Sequence, residues 1–200
     1  MKLLLATCVA LVMVTAAYAG TYSYGWEDGV GTIMGFYGNV ANPANQSANV
    51  NSGNYALEMM ESPLGGTPQA YVAFIEGLAD GDAVDVTFYC YDDTDGASPS
   101  TRIWAHYANS GDVNSYAGSA SGNAAYSDGS GWQPLAWSWL FDGNATTGDA
   151  MVIEFRLYSD AEFQTYFCDD ITVTAPDGAV VSFAGSDPTA TEETTWGSVK

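Results

Sequence analysis

Positive charge is nearly missing from this chain. Its 200 residues carry four Lys and Arg against 24 Asp and Glu, with one His, for a formal net charge of −20. So acidic a surface repels phosphate backbones, anionic lipid and polyanionic glycans, which argues against nucleic acid as a partner and leaves cations and neutral ligands. Cysteine is scarce as well: there are three, and no Cys/His spacing of a metal site accompanies them. Helix-period runs are almost absent, and no G-x-S-x-G nucleophile motif occurs. After the first segment, no apolar run is long enough to span a bilayer. Disorder does not follow from the charge, because aromatic and aliphatic residues recur throughout.

The first segment, "MKLLLATCVALVMVTAAYAG", has the pattern of a secretory signal: a basic start at Lys2, an apolar run over residues 3–14, and the small-x-small Ala17-Tyr18-Ala19. Cleavage after Ala19 is expected, giving a secreted, extracellular protein whose basic residues are Arg102, Arg156 and Lys200. What remains is the size of one ordinary domain, and the chain divides into a signal peptide at 1–19, a β-sandwich domain at 20–178 and a tail at 179–200. Twenty-two glycines and turn clusters such as "DDTDGASPS" separate segments of strand character. Strands are predicted over 22–27, 31–37, 54–60, 69–75, 83–91, 101–107, 132–141, 150–158 and 166–174. Many short strands without helices between them predict an all-β antiparallel sandwich or jelly roll. The Ser/Gly/Ala-rich stretch at 109–131 reads as a long surface loop with room for a short strand. The tail ends in "TTWGSVK", read either as a mobile terminus or as a short helix from Thr191 or Glu192 that docks Trp196 and Val199.

In "QTYFCDDITVTAP" strand alternation places Phe167, Asp169, Ile171 and Val173 on one face, a core face that contains a carboxylate. A buried carboxylate needs a partner, and few arginines are available to provide one. Calcium, which takes six to eight oxygen ligands, is one solution; a solvated position at the strand mouth is another. Glu27 in "YSYGWEDGVG" and the carbonyls around Asn51, Ser52 and Gly53 could share such an ion with Asp169 or Asp170. The same alternation turns Cys90 inward with Val84, Val86 and Phe88 but sets Cys168 opposite Phe167, which argues against a disulfide.

Four segments occur in a recognisable order: "YGWEDG", "NSGNYALEM", "DGDAVDVTFYCYDD" and "YFCDDITV". In this order the chain resembles jelly-roll carbohydrate-binding modules with the galactose-binding-like fold, over residues 22–175. The resemblance implies a structural calcium site that uses the early acid, here Glu27, the backbone of Ser52-Gly53, and the last-strand pair Asp169-Asp170.

Neutral sugars are held by aromatic faces with a few polar groups for the hydroxyls. In "TRIWAHY" Arg102, Trp104 and His106 share a face; in "VIEFRLYSD" Glu154, Arg156 and Tyr158 share one, opposite Ile153, Phe155 and Leu157. If these strands are neighbours, the six side chains form one candidate ligand-binding surface, while scattered counter-charges with Trp104 in the core are the blander account. Trp137 and Trp139 share a face with Leu135 and Phe141 and read as core. Three functions are therefore expected in descending order. They are a non-catalytic, calcium-stabilised module for neutral glycan, a structural or cell-surface interaction protein, and a glycan-active enzyme with Glu58 and Glu154 as its carboxyl pair.

Overall fold

A computed structural model describes residues 19–185 and 190–191. The signal segment up to residue 18, and the expected docking helix of the tail, lie outside the described residues. Two antiparallel sheets pack face to face, as the strand spacing predicts. The first is built from β1 (Ala19–Tyr24), β3 (Val40–Gln46), β4 (Ala56–Glu61), β6 (Ala83–Asp92), β9 (Gly131–Leu140), β11 (Thr165–Pro176) and β13 (Ala190–Thr191). The second holds β2 (Gly35–Tyr37), β5 (Gln69–Glu76), β7 (Ser100–Ala108), β8 (Gly118–Gly122), β10 (Ala150–Tyr158) and β12 (Val180–Ser182). Alternation along each strand drives the packing: Val84, Val86 and Phe88 from one sheet meet Ile103, Ile153, Phe155 and Leu157 from the other. Phe88 and Phe155 meet edge to face at 5.5 Å across the layer.

Strand β11 is the hub of the first sheet. Along one side it pairs with β6; along the other it pairs with β4 at residues 165–168 and then with β1 at residues 171–176. The change of partner coincides with a bulge: the register against β6 shifts between Asp169 and Thr172, and Asp170 takes φ 48°. One extra residue reverses the alternation. Cys168 faces the core before the bulge and Ile171 and Val173 face it after, whereas Phe167 lies half-buried on the outer side. The predicted common face of Phe167, Asp169, Ile171 and Val173 is thus corrected. The expected mismatch of faces between the two cysteines is corrected as well: Cys168 lies directly opposite Cys90, and both are buried in the core. Both thiols are free, and burial pushes Cys90 up to about 12 and Cys168 well above the ordinary thiol value.

Asp169 fills the gap between the ends of β4 and β1. Its Oδ2 accepts the backbone N–H of Asn51 at 2.9 Å and of Ser52 at 3.2 Å, and its Oδ1 accepts the N–H of Asp170 at 2.8 Å. Backbone donors of a loop that enters a sheet need acceptors once they leave water, and here a carboxylate serves the part-buried N–H groups.

Other departures from the predicted strands have local causes. Trp26 at φ 57° ends β1 early and buries its ring, with Nε1–H donating to Thr32 O at 2.7 Å. β3 is hidden in sequence by its Asn and Pro; it is an edge strand, where Pro43 costs no ladder bond, and Asn42 sits at φ 51° beside a register shift. β8 forms within the Ser/Gly/Ala stretch on the edge of the second sheet. β12 carries the packed domain beyond the expected boundary at residue 178, since Ala179, Val181 and Phe183 are buried and Phe183 stacks on Tyr24 at 5.5 Å. Replacing the junction carboxylate tests its role. Asp169→Ala takes the acceptor from the part-buried N–H groups of Asn51, Ser52 and Asp170 and is expected to cost about 1–3 kcal/mol in urea unfolding; a loss within error of wild type would remove Asp169 from its structural place.

Candidate functional site

The antiparallel register of β7 and β10 sets Trp104 opposite Glu154 and Arg102 opposite Arg156, with His106 opposite Val152. Ile103, Ala105, Ile153 and Phe155 fill the core, so Arg102, Trp104, His106, Glu154, Arg156 and Tyr158 come together on the outer face of the second sheet. The structure then divides them by task. Glu154, only 1% exposed, lies beneath the surface, with Oε1 2.7 Å from His106 Nδ1 and Oε2 2.6 Å from Arg156 Nε. Arg156 in turn lies 4.4 Å above the Trp104 ring. Arg102 is caged by Trp104, Tyr126 and Tyr158 at 5.0, 4.8 and 5.7 Å, and its Nε donates to Asn123 O. Planar stacking and a fork of donors make these two guanidiniums a rigid underlay rather than scattered counter-charges.

Beside this underlay opens a cleft of about 510 Å³. His106 and Arg156 lie along it with Gln69 and Tyr71 of β5. Phe36 and Tyr37 of β2 stand on one side, Tyr116 on the other, with Asn114 and Ser119 as further polar lining. The aromatic rings are open to solvent: Tyr37 is 64% exposed and Tyr116 71%. Burial, then the nearby Glu154, pushes the Tyr71 phenol up to about 12, so it remains a neutral donor at physiological pH. His106 is 2% exposed and its Nε2 has no partner. A carboxylate only accepts, so Nδ1–H donates to Glu154, and Nε2 is left buried and without a protein partner on a residue that lines the cleft.

Of the six residues expected to contact a ligand, His106 and Arg156 line the cleft; Arg102, Trp104, Glu154 and Tyr158 lie outside its lining, beneath or beside it. Phe36, Tyr37, Tyr71 and Tyr116 were not legible as a set, because they come from two strands and a loop that only the fold brings together. Tyr116 carried one signal, being with Tyr126 one of two rings in an otherwise Ser/Gly/Ala-rich stretch. The proposed acid pair of a glycosidase does not form. Glu58 points outward from the first sheet between the core residues Leu57 and Met59, and Glu154 points outward from the second, so the sandwich separates them. Trp139 is buried as expected, with Nε1–H donating to Ser121 O, but Trp137 is 40% exposed.

At the β11 junction the other expected group of residues also converges. Glu27 accepts the backbone N–H of Asn54 and Tyr55 at 2.8 and 3.0 Å, and a side chain at Gly53, φ 62°, would run into its carboxylate. Asp170 accepts Asn51 Nδ2–H at 2.7 Å and Ser52 Oγ–H at 2.9 Å, so Ser52 meets the acids through its donors. A Cβ on Gly25 would lie 3.3 Å from Asp170 Oδ1, 3.7 Å from Asp169 Oδ1 and 3.8 Å from Glu27 Cγ. Glycine thereby keeps open an oxygen-lined cradle. The donors are all hard oxygens, which suits calcium. Among the described residues no three His, Cys, Asp or Glu side chains converge tightly enough to hold a metal alone, so carbonyls and water would complete the shell. Burial, with Asp170 adding like charge, pushes Asp169 up to about 6, the strain a cation relieves.

No family model and no curated protein matches the chain. Solved structures do. The CBM22-1 xylan-binding domain of Paenibacillus barcinonensis Xyn10C is 15% identical over 80% of this chain and 97% of its own, with a TM-score of 0.54. The CBM22-1-CBM22-2 tandem of the same enzyme is 14% identical over 81% of this chain and 47% of that one, with a TM-score of 0.50. The mannan-recognising module TmCBM27 is 13% identical over 80% and 99%, with a TM-score of 0.47. The chain resembles jelly-roll carbohydrate-binding modules. At such identities the likeness is one of fold.

The junction acids make opposing contributions to stability with pH. Asp169 holds its proton more tightly folded than unfolded, so its contribution grows as pH falls from about 6 to the ordinary 3.8. Glu27 is held below its ordinary value, chiefly by the Tyr55 N–H, so its contribution is present above that value and is lost on further acidification. In chelator, thermal melts should show a maximum on the acid side of neutrality, and Asp169→Asn should flatten the rise between pH 7 and 5; an unchanged rise would assign it to other acids.

Proposed function

We propose that this protein is a secreted, non-catalytic, carbohydrate-binding-module-like domain. It binds a polysaccharide of neutral main chain in the cleft on the outer face of the second sheet. The observation that carries this reading is the buried, unpartnered Nε2 of His106 on an aromatic-lined cleft. A sugar ring has apolar C–H faces and polar edges. Phe36, Tyr37 and Tyr116 offer rings for the faces, and Gln69, Tyr71, Asn114 and His106 offer donors and acceptors for the hydroxyls. Among the described residues no Asp or Glu lines the cleft, which disfavours acid–base hydrolysis there.

The reading includes calcium at the junction. Glu27, Asp169 and Asp170, with backbone oxygens of the Ser52-Gly53 turn, are the groups that would hold it. Bound there, it would neutralise carboxylates packed between two strand ends and tie the start of the sandwich to its last long strand. That role is structural, as the cleft lies on the other sheet.

A glycan array in calcium should give saturable binding to neutral-chain polysaccharides. His106→Ala and Tyr116→Ala should each weaken it about tenfold, in line with roughly 1–2 kcal/mol per stacking or hydrogen-bonding group. Silence across the array, with the protein folded, would sink the module reading. Calcium should raise the melting temperature of wild type and leave that of a Glu27→Gln/Asp170→Asn variant unmoved; equal shifts in both would place any ion elsewhere.

A further inference from the structure

Resting on the reading of the cleft as a glycan site, we propose that the polysaccharide it takes carries isolated carboxylates. These would be uronic acid residues or side groups on an otherwise neutral chain, and Arg156 recognises them. The distribution of charge points there. The chain has 24 acids, yet none of those among the described residues lines the cleft, while its single histidine and one of its two arginines do. The other arginine, Arg102, lies on the same face in its aromatic cage and makes no ion pair among the described residues. Two guanidiniums therefore stand against one carboxylate, Glu154, which is withdrawn from the surface. Among the described residues Arg156 is the one guanidinium on the lining itself, with Arg102 close by on the same face.

Arg156 is built to present that charge. Its Nε is spent on Glu154 and its plane rests on Trp104, while Nη1 and Nη2 make no hydrogen bond to the protein among the described residues. A guanidinium held in this way offers a free edge of paired N–H donors, the geometry that fits a carboxylate. His106 takes a complementary part: with Nδ1–H committed to Glu154, Nε2 is left to pair with a sugar hydroxyl beside the acid group, which can donate or accept. The net charge of −20 limits the density of acid groups. One carboxylate at Arg156 sits within the reach of the local positive charge, about 10 Å at 0.1 M salt, whereas a chain acidic at every residue extends into the repulsive field beyond.

The test is titration calorimetry with uronate-substituted polysaccharides of neutral main chain (glucuronoxylan, gum arabic and xanthan). Each is used native and after carboxyl reduction, beside polygalacturonate as a dense polyanion. At least one native polymer should bind about tenfold or more tightly than its reduced form, with the difference shrinking in 0.5 M salt and polygalacturonate binding weakly. Arg156→Gln should bring native and reduced forms to equal affinity. The wild-type comparison is independent of how that variant folds. Equal binding of native and reduced polymers overturns the carboxylate assignment and leaves the glycan cleft standing, as does tight binding confined to unsubstituted chains. Tight binding of polygalacturonate overturns the limit on acid density. Silence of every polymer, together with silence on the neutral array, overturns both the inference and the reading beneath it.

Discussion

One carboxylate makes the first sheet continuous. β11 needs two different neighbours along one side, and where β4 gives way to β1 the backbone ladder is interrupted. Asp169 bridges the interruption by accepting the N–H groups of the loop that leads into β4, and the bulge it shares with Asp170 turns the strand so that Cys168, Ile171 and Val173 all reach the core. The gap could not be closed by an apolar side chain, because the amides of Asn51 and Ser52 would be left unpaired. Its cost is a buried negative charge beside a second one, and a cation at the same place would offset that cost.

Carboxylates at the junction and beneath the cleft are used in different ways. At the junction, Glu27, Asp169 and Asp170 crowd together on backbone and side-chain donors, with Gly25 and Gly53 leaving them room. On the second sheet, Glu154 is sunk below the surface and divided between a histidine and an arginine, so that it fixes the side chains above it while its carboxylate stays out of the lining. The result is a strongly acidic protein whose aromatic-lined cleft has no Asp or Glu in its lining among the described residues. Rigid support beneath a polar contact matters for binding, since a side chain already fixed in place loses little freedom when a ligand arrives.

Alternation along individual strands carried most of the fold. The cores of β6, β7 and β10 follow from their period of two, and so does the shared face of the two arginines once β7 and β10 are neighbours. β3 and β8 were obscure because edge strands tolerate Pro, Asn, Gly and Ser, which otherwise signal turns. The face of Cys168 was misread because a bulge adds one residue, and a period of two has no memory beyond it. In the site, His106 and Arg156 were recoverable from strand phase, whereas Phe36, Tyr37, Tyr71 and Tyr116 gather from segments up to 80 residues apart.

By itself the sequence determined the class of fold, the acid character and the materials: strands with an apolar face, a pair of acids in the last long strand, and a small set of basic residues on outward phases. These are local properties, set by each residue and its near neighbours along the chain. Tertiary structure alone decided that β11 would change partners at Asp169, that Glu154 would be buried beneath His106 and Arg156, and that rings from β2 and a distant loop would complete a cleft. Those outcomes depend on which strands pair and in what register, and such long-range choices are made by the packing of the whole sandwich.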